Sequence, residues 1–194
     1  MTEGTGGGST SAARARLLDT ATRIFYAEGI HAVGVDRIIG EAQVTRATLY
    51  RHFAGKEELV LAYLEQADRG IRAGLEAAVA GERSAADEVR AVGRFVTAGI
   101  QSDGFRGCAF LNAAAEYPDP SHPIHRAVLA HRAWFLDTVT ALLARVGDSP
   151  AAEGGRHLIM LRDGAMAAGC LFDPKLISET FLLGVEGILR VRGA

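Results

Sequence analysis

The sequence is short of cysteine, of strand-like alternation, of long apolar runs and of net positive charge, and each shortage excludes something. Cys108 and Cys170 are the only cysteines, with no CxxC pair; they cannot build a disulfide framework, and a reduced, cytoplasmic setting is expected. No uncharged apolar stretch approaches the ~18 residues a bilayer span requires, so no membrane partner is expected. The opening MTEGTGGGSTS has neither a basic n-region nor an apolar h-region, so it reads as a disordered tail over residues 1–11 rather than a signal peptide. GxSxG, phosphate-loop, HExxH and paired-carboxylate patterns are missing, so neither an enzyme nor a cofactor is expected. The net charge of -2 supplies no global basic field for a nucleic acid.

What is present is helical periodicity. The hydrophobic share is 48%, enough for a sizeable core, and the class is all-α with about nine helices. Leu17, Leu18, Ala21, Ile24 and Phe25 form one stripe on a helix from Ala12 to Glu28, with Gly29 placed as its C′ residue. Short helices follow over Val35–Ala42 and Thr45–His52. A long one starts at Lys56 and runs through Val79. Helices over Ser84–Gln101, Cys108–Tyr117, Pro123–Val146, Ala151–Cys170 and Pro174–Arg192 complete the chain, divided by turns at Ser102-Asp-Gly104, Pro118-Asp-Pro120 and Phe172-Asp-Pro174.

Within a head whose charge is balanced, the window Val44–Lys56 differs. It holds Arg46, Arg51, Lys56 and His52 and no Asp or Glu. Phosphate contacts act within about one Debye length (~8 Å), so a local footprint counts for more than the overall charge. Two short helices with a tight turn can lay the second into a major groove. Thr45 would cap that helix and leave N–H groups for a phosphate. Arg46, Ala47 and Thr48 would meet base edges, and Tyr50, Arg51, His52 and Lys56 the phosphates. Ile38, Ile39, Val44, Leu49 and Phe53 would pin the pair. Helical pairs of this kind also occur in proteins that never touch DNA, and the residues alone leave both readings open.

From Arg16 to Tyr63 the chain resembles the N-terminal domain of the TetR/AcrR family of transcriptional regulators. Leu17, Ala21, Phe25, Gly29, Ile38, Ala42, Val44, Thr45, Thr48-Leu-Tyr-Arg-His-Phe53 and Lys56-Glu-Glu-Leu59 carry the likeness. It implies a three-helix, helix-turn-helix DNA-binding head over 12–55, a linking helix from 56, and a body over 56–194 that dimerises and binds an effector. The implied function is a repressor released from a palindromic operator by a small molecule. Gln43 stands where the family has a turn glycine, at a cost of about 1 kcal/mol if its φ is positive. Gly34 stands where a Ser or Thr caps the second helix.

For the body, the resemblance implies a homodimer through the last two helices, here rich in Gly164, Ala165, Ala167 and Ala168, and in Ile177, Phe181, Leu182, Gly184, Val185 and Ile188. Residues 106–125 are similar to a segment of effector domains in one branch of the family, which puts Cys108, Phe110, Asn112 and Glu116 near the middle of the body. Phe95, Phe110, Trp134, Phe135 and Met160 are candidate pocket residues beside Cys108, with Asn112, His131 or His157 orienting a ligand; each of them also suits ordinary core. Cys108, near Arg106 and a helix start, invites an alternative in which the regulator senses oxidants or electrophiles. A thiol enzyme using Cys108 with a histidine, or a helical dimer that does not bind DNA, is the remote alternative. His122, His125 and His131 do not complete a metal set, and no metal is expected. Effector, operator, regulated genes and the sign of regulation are not legible.

Overall fold

A computed structural model describes residues 6–147 and 150–194, with side chains from Ala12 onward. Among the described residues there are nine helices and no strand: α1 (Gly6–Glu28), α2 (Val35–Glu41), α3 (Arg46–His52), α4 (Lys56–Val79), α5 (Ala85–Ile100), α6 (Ala109–Glu116), α7 (Pro123–Leu143), α8 (Ala151–Ala168) and α9 (Pro174–Val191). The expected tail over 1–11 needs correction: residues 1–5 lie outside the described residues, but α1 already starts at Gly6. Once the Ala12–Glu28 segment is helical, extending it backward adds one hydrogen bond per residue without a new nucleus. No helix among the described residues is long and apolar enough to cross a membrane.

The chain divides into two compact units. The first comprises residues up to Ala67 together with Asn112–Val128, so it extends beyond the expected head of 12–55. Its core is built on α1, whose Leu17, Ala21, Ile24 and Phe25 are buried, with Ile30, Val33, Ile38, Leu49 and Phe53 from the turn and the next two helices. Helix α1 ends at Gly29, which takes φ +94 and closes on the Phe25 carbonyl. The first half of α4 adds Leu59, Val60, Tyr63 and Leu64, and the Tyr63 ring lies 5.9 Å from that of Phe25.

The second unit comprises Asp68–Leu111 and Leu129–Ala194. Helix α5 packs on α9, and α9 on α8. Val89, Val92, Val96 and Ile100 recur at helical spacing on α5 and meet Phe181, Val185 and Leu189 of α9, Leu158 and Ala165 of α8, and Phe135, Val139 and Leu143 of α7. Buried Arg192 donates from Nε and Nη2 to the Leu143 carbonyl and from Nη2 to that of Gly147. A guanidinium thus satisfies orphan carbonyls at the end of α7, where the helix dipole also favours a cation.

Close packing of α4 on α5 depends on Gly74. A Cβ there would lie 2.6 Å from Cε2 of Phe95. Gly74→Val is expected to lower unfolding stability by about 1–3 kcal/mol through overpacking, read as a fall in the urea midpoint at unchanged slope.

Candidate functional site

Helix α3 carries the candidate nucleic-acid surface. Its N-cap is Thr45, whose Oγ1 accepts from the Thr48 N–H at 3.1 Å while the two hydroxyls lie 2.8 Å apart. The tight turn before it is made by Gln43 at φ 52, the left-handed conformation that a family glycine would adopt freely. Gly34 caps α2 with no side-chain hydrogen bond, as expected for a glycine there. In place of that cap, Arg37 bridges Glu28 of α1 and Glu41 of α2, and Arg23 reaches Glu41 at 2.5 Å. The Arg37 hydrogen bond holds the Glu28 carboxyl below its usual range, and those from Arg23 and Arg37 do the same for Glu41.

The expected contact residues do not form one surface. Leu49 and Phe53 are buried, whereas Arg46, Ala47, Tyr50 and Arg51 are exposed and fall within one sector of α3. The expected pins Ile39 and Val44 are only half-buried. Thr48 is half-buried and engaged with Thr45, so the cap consumes one of the N–H groups expected to be left for a phosphate. His52 points away from the Arg46 sector, and its Nε2 is buried without a hydrogen-bond partner. Lys56 opens α4 half-buried; burial holds its ammonium below the usual lysine range, with Glu116 pulling the other way.

One carboxylate was missed by sequence reasoning and another was misplaced. Asp36 of α2 pairs with Arg46 across the turn. Glu116, expected in the middle of the body, lies in the head's unit: it accepts from the Ile30 N–H at 2.8 Å and the His31 N–H at 2.5 Å. Those are the first donors after α1 ends, and nothing in a sequence separation of more than eighty residues announces the contact.

In the second unit, several candidate ligand residues do meet. His131 is buried, stacks on Phe110 with centroids 3.6 Å apart, and lies 5.5 Å from the Trp134 ring, which meets Phe135 edge-on. Its Nδ1 is 2.6 Å from Oδ1 of Asp68. Burial pushes the His131 pKa down while Asp68 pulls it up, and burial prevails; the neutral ring therefore donates from Nδ1–H, and Nε2, which has no partner, is the bare acceptor. Burial works to raise the Asp68 pKa, but hydrogen bonds from Arg72 and His131 hold it below the usual range. Cys108 is buried, with Sγ 3.4 Å from Nη2 of Arg162; α6 begins one residue later, and Arg162 is the cation beside the thiol.

The remaining candidates lie elsewhere. Phe95 packs over Gly74. Asn112 is exposed and belongs to the first unit, because Phe110 and Ala113 take the buried side of α6 and Asn112 faces the other way. Met160 is 71% exposed, since Leu158, Arg162 and Ala165 are the inward residues of α8. Trp134 also lines a groove of about 350 Å3 with Arg72, Leu75, Glu76, Val79, Thr138 and Leu142. Among the described residues no group of three or more His, Cys, Asp or Glu side chains could hold a metal ion.

The short helices α2 and α3, joined by a tight turn in an all-helical chain, fit a helix-turn-helix, and comparison with known proteins identifies a DNA-binding transcriptional regulator. Residues 17–63 match the family model described as bacterial regulatory proteins, tetR family. The chain is similar over its length to SCO4454, a TetR-family transcriptional regulator from Streptomyces coelicolor: 72% identity, 95% of this chain and 97% of that one, TM-score 0.93. It is 43% identical over 53 residues to the HTH-type transcriptional activator FasR of Mycolicibacterium smegmatis, covering 27% of this chain and 24% of that protein. To the HTH-type transcriptional regulator SrpR of Pseudomonas putida it is 41% identical over 51 residues, 26% of this chain and 24% of that protein. The alignments thus span about a quarter of these curated relatives' length. The chain belongs to the TetR family and is a DNA-binding regulator, not an enzyme.

Glu116→Ala removes the shared acceptor of two backbone donors, a loss of about 1–3 kcal/mol locally. The amides of Ile30 and His31 are expected to exchange hydrogen about five- to a hundredfold faster in this variant while those of α5 and α9 are unchanged; unaltered protection at both amides contradicts the assignment.

Proposed function

We propose that the chain is a cytoplasmic homodimeric repressor that binds a palindromic operator and leaves it when a small molecule occupies its body. Residues 12–55 read DNA, and residues 56–194 supply effector binding and dimerisation. The observation that carries the reading is the exposed Arg46–Ala47–Tyr50–Arg51 face on a helix whose opposite side is anchored by Leu49 and Phe53. Arg46 suits a guanine edge, Ala47 a thymine methyl, and Tyr50, Arg51 and Lys56 the phosphates that set register. Thr45, Thr48 and His52 act one step back, by shaping and closing the helix rather than by reaching bases.

A single head reads only one half-site, so the operator requires two. Helices α8 and α9 offer the face for a second copy. Met160 (71% exposed), Leu176 (57%), Leu183 (72%) and Val191 (80%) are large apolar side chains left in water, and Met160, Leu161, Gly184, Ile188 and Val191 border a groove of about 610 Å3 between the two helices. The residues named for this interface from sequence divide. Ala165, Phe181 and Val185 are buried in the chain's own core, because they recur on the inward side of their helices; the outward side is the one that can pair. Exposed patches of this kind mark interaction surfaces.

The Arg162–Cys108 contact favours a second reading of the trigger, in which the Cys108 thiolate attacks a peroxide and leaves a sulfenate and water. Peroxide that leaves Cys108 unmodified by mass spectrometry, with operator affinity intact, removes it.

The test is retention of a duplex from the chain's own promoter region. Affinity is expected to fall steeply with salt, and Arg46→Ala to weaken binding by about 1–3 kcal/mol while relaxing one base position. Asp36→Asn, which frees Arg46, is expected to tighten it a few-fold. Salt-independent binding, or equal affinity for Arg46→Ala, contradicts the reading. For the dimer, Leu183→Asp is expected to give a folded monomer by light scattering, with operator affinity lost.

A further inference from the structure

The Arg72 side chain lies in the groove between α4 and α7 in an arrangement suited to an external ligand. Its guanidinium carbon sits 4.0 Å over the centroid of Trp134. Its Nε donates to Oδ2 of Asp68 at 2.6 Å, and the other oxygen of that carboxylate is held by buried His131. The groove holds about 350 Å3, with apolar walls from Leu75, Val79 and Leu142 and a second carboxylate from Glu76. A planar cation on an aromatic face beside a carboxylate is the recognition geometry for organic cations. Here the occupant is the protein's own.

We propose that this groove is the binding site for a planar aromatic cation, an amidinium or heteroaromatic ammonium, and that Arg72 occupies it as a stand-in in the free protein. Helix spacing supplies the means of exchange. Arg72 has Asp68 at i-4 and Glu76 at i+4, both within reach on one helix face. The guanidinium can leave Asp68 for Glu76 without losing an ionic partner. The Trp134 face and one Asp68 oxygen then become available together, while His131 keeps the carboxylate oriented from behind. An anion would meet Asp68 and Glu76 with only Arg72 in its favour, and a neutral ring would stack on Trp134 but leave Asp68 unmatched.

The inference rests on the effector-released reading above and names the chemical class of the effector. Trp134 is the only tryptophan in the chain, so its fluorescence in the full-length protein reports the site directly. Benzamidinium, benzamide and benzoate form an isosteric probe series that differs in charge. Benzamidinium is expected to change Trp134 emission saturably, with the neutral and anionic probes weaker by about tenfold or more. Arg72→Ala is expected to tighten benzamidinium several-fold by removing the competitor, and Asp68→Asn and Glu76→Gln to weaken it. Arg72 and Glu76 lie at the surface, so their variants keep the test independent of any folding defect in Asp68→Asn. Benzoate binding as well as benzamidinium, or an Arg72→Ala variant with unchanged or weaker binding, overturns the site. Operator retention is measured with the same samples: saturation at Trp134 that leaves the operator complex intact overturns release through this groove while the cation site stands, and release there supports both.

Discussion

Seven residues are too few to hold a helix in water, and this constraint governs the head. Helix nucleation costs more than one or two turns return, so α3 exists because its neighbours hold it. Leu49 and Phe53 are buried against the core that α1 supplies, Thr45 closes the N-terminal turn, and the Arg14 guanidinium lies 4.9 Å over the Phe53 ring. Helix α2 is no longer and has no side-chain cap, and its Arg37 bridges Glu28 and Glu41. Such exposed pairs contribute little individually; Ile38, fully buried, does more. A helix assembled this way is anchored on the side that meets the core and open on the side that faces solvent.

The same economy explains Glu116. The turn after α1 exposes the N–H groups of Ile30 and His31, and an unpaired backbone donor at a packed corner is costly. A carboxylate from α6 satisfies both. The segment Asn112–Val128 therefore belongs to the compact unit of the head although more than forty residues separate it from Ala67 in sequence. Whatever alters the C-terminal half of α6 acts on the turn from which α2 and α3 depart.

Helices were legible because each leaves a local record: apolar residues at i, i+3 and i+4, Thr45 and Ser84 as caps, Gly29 and the Pro-containing breaks. The pins Leu49 and Phe53 followed from the same local rules, whereas the left-handed Gln43 was raised only by the family's turn glycine. Side chains whose roles depend on a partner from a distant segment left no such record. Glu116, Asp36, Asp68 and Arg162 carry much of the polar structure, and none is marked by its immediate neighbours. Asn112 and Met160 were misplaced for a related reason. An apolar or amide residue on a helix could face either way until the phase of that helix was set by Phe110 and Ala113, or by Leu158, Arg162 and Ala165. The residues proposed for a dimer face illustrate the same limit, since periodicity gives two apolar sides on α9 but does not say which side is covered by the chain itself.

Arginine is used in one way in both units. Arg46 pairs with Asp36, and Arg72 pairs with Asp68. In each case the partner is a side chain exposed or half-exposed to water, where the net strength of an ion pair is small. A guanidinium held by such a pair is oriented without being committed, and the exchange of one acceptor for another costs little. On the proposed readings the two sites differ in what is exchanged: at the head the arginine itself would move to the incoming acceptor, whereas in the groove it would vacate its acceptor for an incoming cation. The first arrangement suits recognition of an anionic surface, and the second excludes weak ligands until one arrives that satisfies both the aromatic face and the carboxylate.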